Sequence, residues 1–122
     1  MPNIDRLGLT GELLSSGLRV PPMDYDLFRT VDETNSHVIE IADGATDVAI
    51  TVNIDTLQTL KVIAKGVVSI RPAGAGTTSF TLSGSVTDPA VFVLWRTSTT
   101  SLPVMSNASG ATVIVEVQAG GT

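Results

Sequence analysis

Cysteine is absent from this 122-residue chain, and histidine and tryptophan occur once each. Without thiols there are no disulfides, no thiolate nucleophile and none of the usual structural zinc sites, so the fold has to stand on packing alone. Charge is scarce as well: 16% of the residues are Asp, Glu, Lys or Arg, against roughly 25% in ordinary soluble domains. The mean hydropathy is accordingly positive, at +0.33. With 122 residues there is room for one domain and one core. So little charge on so small a domain implies surface that faces something other than water.

No apolar run approaches the ~20 residues that cross a bilayer, because Glu40, Lys61, Lys65 and Glu116 interrupt the candidates. The hidden surface is therefore expected in a protein interface, with no membrane partner. A net charge of -5 and a pI near 4.5 argue against nucleic acid, whose binding depends on Lys and Arg neutralising phosphates. The seven basic residues are scattered from Arg6 to Arg96. Met1 to Arg6 shows no basic segment leading into an apolar one, so synthesis and use in a cytosol, or in a particle assembled there, is the expectation.

Catalytic chemistry finds little to work with. Hydrolases and transferases usually combine a nucleophile, a base and an orienting group. Here His37 is the sole imidazole and no Gly-x-Ser-x-Gly elbow presents a serine. His37 reads as a structural or surface residue, and no catalytic residue is assigned. The carboxylate pairs Asp24/Asp26, Asp32/Glu33 and Asp43/Asp47 read as turn formers, since none has the spacing of a helix-flanked calcium loop. Asp43 to Asp47 comes nearest to one, with Asn53 and Asp55 joining only if the fold brings them close; no metal or cofactor is assigned. Pro72 to Thr78 has the glycines of a phosphate loop without its Gly-Lys-Ser/Thr ending, which makes it a hairpin tip. Asn107-Ala108-Ser109 matches a glycosylation acceptor by chance.

What the sequence does contain is alternation with a period of two. His37, Ile39 and Ile41 form one strand face, ending at Asp43-Gly44. Val48 to Ile54, Leu60 to Lys65, Val68 with Ile70, Thr78 to Leu82, a short Leu102 to Met105 and finally Val113 to Val117 follow, each bounded by turn residues. Ala90 to Arg96 differs in being apolar on both alternating faces, which predicts a central strand covered above and below. Seven or eight short strands at this spacing predict an all-β domain, a single antiparallel β-sandwich or jelly-roll-like barrel, over residues 32–122. Residues 1–31, broken by Gly8, Gly11, Gly17 and Pro21-Pro22, read as an irregular extended N-terminal arm, with at most one helical turn opening at Thr10.

That arm carries Ile4, Leu7, Leu9, Leu13, Leu14, Leu18 and Val20, too many apolar side chains for a free tail. It is expected to lie on its own domain or on a neighbour. Leu7, Leu9, Leu13, Leu14, Leu18 and Val20, together with Trp95 at the end of the apolar strand, are the candidate interface residues. Arm and domain together have the profile of a subunit that works by being packed against others, most naturally in a symmetric homo-oligomer such as a trimer.

The plan of an irregular arm leading into a Gly/Ser/Thr-rich β-sandwich resembles the small accessory proteins of tailed-bacteriophage virions, in particular capsid decoration or cement proteins. Val93-Leu94-Trp95-Arg96-Thr97-Ser98, Asn107-Ala108-Ser109-Gly110 and the valine-rich last strand carry the likeness. It spans the whole chain without a diagnostic motif, so no functional residue transfers. The resemblance implies a virion location after assembly in the host cytoplasm, the major capsid protein or other virion subunits as partners, and stabilisation of an assembled shell. The alternative is a carbohydrate- or receptor-binding β-sandwich of a tail fibre or surface protein, for which Trp95 would have to be exposed. A hydrolase using His37 and a carboxylate ranks last.

Overall fold

A computed structural model of the chain describes residues 3–11, 14–15, 18–19, 23–50 and 53–122. The described residues form twelve strands: β1 (Asn3–Gly11), β2 (Leu14–Ser15), β3 (Leu18–Arg19), β4 (Met23–Val31), β5 (Glu33–Ile41), β6 (Val48–Ala49), β7 (Leu57–Ala64), β8 (Val67–Arg71), β9 (Phe80–Ser83), β10 (Ala90–Thr99), β11 (Val104–Ser106) and β12 (Val113–Gly121). Two four-stranded antiparallel sheets, in the orders β10-β7-β12-β5 and β6-β11-β8-β9, enclose the core. The fold is therefore all-β and sandwich-like, and it is not a closed barrel.

One core fills the space between the sheets. The first sheet contributes Ile41, Leu60, Val62, Ala64, Val113, Val115, Val117 and Ala119, and the second contributes Val68, Ile70, Leu82 and Met105. Alternation puts these residues on one face because successive side chains point to opposite sides of a strand. A register shift where Gly120 and Gly121 face Thr59 and Leu57 adds a bulge at Gln58. The extra residue turns Leu57 inward to join the core.

The prediction of a central strand at Ala90 to Arg96 is overturned. β10 is an edge strand, paired through β7 alone. Ala90, Phe92 and Leu94 pack on the core, while Val91 on the opposite face is 62% exposed. The centre belongs to β7 and β12, which each have strands on both sides. An apolar run on both faces signals cover on both faces, but on the outer one Val91 stands exposed and Val93 and Trp95 are only half-buried by the described residues.

Other boundaries also move. Asp32 to Ser36, read as a turn cluster, is mostly strand, and β10 runs on through the polar residues to Thr99. The predicted strand from Val48 to Ile54 is reduced to Val48–Ala49, with Thr51 and Val52 outside the described residues. Phe80, expected inward with Leu82, is 55% exposed. The loop from Pro72 does connect a hairpin, β8 with β9, and Gly74 and Gly76 take the positive φ values that favour glycine.

The described residues of the N-terminal segment are mostly strand rather than irregular. β1 and β4 pair over nine residues from Asn3↔Val31 to Gly11↔Met23, and β2 pairs β3 closer to the tip. The cue is again alternation: Asp5, Leu7 and Leu9 face the same side as Leu27, Arg29 and Val31, with Gly8 on the other side. No helical turn forms at Thr10, which lies in β1.

Candidate functional site

The outer face of the first sheet holds an exposed apolar patch. Register places Val91, Ile63, Glu116 and Val38 in one row across the sheet, and Val93, Lys61, Gln118 and Ser36 in the next. Val38 and Val91 are each 62% exposed, and Ile114 is exposed beside them. Ser36, Val38, Lys61, Ile63, Glu116 and Gln118 line a shallow depression of about 380 Å³ on this face. Lys65 and Glu116 pair across it at 3.1 Å, a contact that surface exposure renders weak.

The hairpin closes one end of the face. In the row formed by Trp95, Thr59 and Gly120, Asp5 of β1 accepts hydrogen bonds from the Thr59 hydroxyl and, at 2.8 Å, from Lys61 Nζ. Lys61 also donates to the Arg6 carbonyl. The ion pair is largely enclosed, with the Lys61 and Asp5 side chains only 17% and 12% exposed. Gly120 is needed here: a β-carbon would lie 2.7 Å from Thr59 Oγ1 and 3.3 Å from Asp5 Oδ2. Burial pushes the Asp5 carboxyl up, but hydrogen bonds from Lys61 and Thr59, the Lys61 charge and the Arg6 amide outweigh it and hold the group below its ordinary value.

Of the interface residues expected from the sequence, Leu7 is buried within the chain itself and Leu9 is half-buried. Leu14 and Leu18 lie in β2 and β3, and Leu13 and Val20 lie outside the described residues. Trp95 is half-buried, with Lys61 Nζ 5.7 Å from its ring centroid. Among the described residues, the hairpin exposes Ile4, Tyr25 and Phe28. Arg6 lies over the Phe28 ring at 4.9 Å and pairs with Asp26 at 2.8 Å. Val38, Val91 and Ile114 were legible as the second face of their strands, but not as uncovered.

The titratable candidates do not converge. His37 Nδ1–H donates to Asn35 Oδ1 at 2.8 Å, and its Nε2 makes no hydrogen bond. Asp43 accepts from the Gly110 amide, and Asp47 pairs with Arg71 at 3.4 Å. Among the described residues no group of three or more His, Asp or Glu is arranged to hold a metal. The glycosylation match is closed off by structure: Asn107 is 1% exposed, and its Nδ2 donates to the carbonyls of Ile41 and Ala111.

Compared with protein-family models, with curated proteins and with solved structures, the chain finds no match.

Proposed function

We propose that the protein is a non-enzymatic structural subunit that acts through protein–protein contacts, and specifically a capsid decoration or cement protein that binds and stabilises an assembled shell. The observation that supports this reading best is the outer sheet face, where Val38, Val91 and Ile114 stand exposed beside a hairpin that presents Ile4, Tyr25 and Phe28. An apolar patch rimmed by polar residues is the usual mark of an interface, because covering it removes apolar area from water at little desolvation cost. Stabilisation would come from area buried across subunit boundaries. The carbohydrate-binding alternative draws less support, since Trp95 is half-buried and Lys61 stands over its ring.

Co-sedimentation with assembled shells and with free shell subunits tests the reading. Binding to shells alone, weakened by Val38→Lys and Val91→Lys while the fold is retained, is the expected result. A monomer that ignores shells refutes it.

A further inference from the structure

The hairpin meets the sandwich through a compact and self-contained set of contacts. Asp5 enters a notch made by Thr59 and Lys61 of β7 and by Gly120 of β12. The Arg6 carbonyl takes a further hydrogen bond from Lys61. Thr59 lies on the outer side of its sheet yet is fully buried, so the hairpin is what covers it.

The hinge is short. Asp32 alone separates β4 from β5, both strands being nine residues long. It is held by its amide donating to the Gly121 carbonyl at 3.0 Å and by Asn3 Nδ2 donating to its own carbonyl at 3.2 Å. A one-residue connection between two long strands favours exchange, because the strands can run on through an opened hinge while every docking contact is remade on another copy.

We propose that the hairpin is an exchangeable strap: the notch of Thr59, Lys61 and Gly120 on one copy receives Asp5 and its hairpin from a second copy of this chain. This supplies the means of oligomerisation and rests on the assembly reading above only for its purpose. The closed and exchanged forms share the same docking contacts, so the hinge and the new contacts between copies set the balance. In the closed form Ile4 and Phe28 of the hairpin, and Val38 and Val91 of the sheet, are left in water. Exchange brings a second copy alongside both surfaces. Because the closed form is favoured by the high local concentration of its own hairpin, exchange grows with protein concentration.

Two experiments decide the matter. Isotopically light and heavy chains are refolded together at low and high concentration, then treated with a zero-length carbodiimide, which joins a carboxylate to an amine already in contact. Joined Asp5–Lys61 peptides of mixed light and heavy origin, increasing with concentration, are expected. If every joined peptide is wholly light or wholly heavy, even within an oligomer, exchange is overturned, while shell binding stands or falls by its own assay. In the second experiment, Asp5→Lys and Lys61→Asp chains are each refolded alone and then together, with folding checked by circular dichroism. Either alone sets like charges in its notch, and only reciprocal exchange between the two kinds restores opposite charges in both. Protease protection of the hairpin lost in each and regained in the mixture is expected; a mixture that behaves as the sum of its parts overturns the proposal.

Discussion

Replacing Asn107 tests the physical account of this fold most sharply, since a side chain that looks like an exposed turn residue in the sequence is buried and fully engaged. Its Nδ2 donates to the Ile41 carbonyl at 2.8 Å and to the Ala111 carbonyl at 2.7 Å, and its Oδ1 accepts from the Ser109 amide at 2.9 Å. Its backbone is tied too, to Ala45 and Gly44. In Asn107→Ala the side-chain bonds vanish, each with a net contribution of about 1 kcal/mol, and a buried carbonyl left without its donor adds to the loss. Ala111 keeps a hydroxyl donor from Ser109 at 3.0 Å, which limits the total to about 3 kcal/mol. For a domain of this size that is a fall in Tm of roughly 10 °C.

Asn107→Asp has nearly the same shape and removes both donors, setting a carboxylate against two carbonyl oxygens. Its loss should exceed that of Asn107→Ala at neutral pH. The folded state raises the pKa of the introduced carboxyl, so the extra loss is present above the unfolded pKa of about 3.9 and shrinks as pH falls towards it. Thermal and denaturant unfolding of both variants between acid and neutral pH reads these differences. A loss in Asn107→Ala below about 1 kcal/mol, or an Asp variant no worse than the Ala variant, refutes the assignment of this side chain as the clamp between β5 and the β11–β12 turn.

Leu60→Ala, at a fully buried position in β7, should cost about 2–5 kcal/mol in denaturant unfolding, with the slope of the transition unchanged. Gly84→Ala should prevent stable folding or lower Tm severely in a melting experiment, because the new β-carbon would sit 2.2 Å from the Ala64 carbonyl oxygen and 2.5 Å from the Ala90 amide nitrogen. The Asp5 carboxyl, held below its ordinary value of 3.8, stabilises hairpin docking above that pH, and its contribution disappears as pH falls through the lower folded value. The protection of the Leu7 amide against hydrogen exchange, taken relative to a free amide at each pH, should therefore fall only below the ordinary carboxylate range, and Asp5→Asn should remove this acid limb.

Alternation along the chain determined the fold class, the strands at His37 to Ile41, Leu60 to Ala64 and Val113 to Val117, and the inward residues of each. Side-chain direction follows from local geometry, so the inward residues of these three strands were legible from spacing, whereas Leu57 enters the core through a bulge and Phe80 stays outside it. Strand order was not. Ala90 to Arg96 carries the most apolar pattern and still lies at an edge, while Leu60 and Val62 at the centre share their strand with Lys61. Neighbours in the first sheet come from strands distant in sequence, β12 beside β5 and β7, and no local pattern encodes such pairing. The notch is of the same kind: Asp5, Thr59, Lys61 and Gly120 are unremarkable in sequence and come together only when a hairpin folds back onto a sheet. Local sterics and hydrophobic burial fixed which way each side chain points; only long-range pairing decided which faces were covered and which were left open.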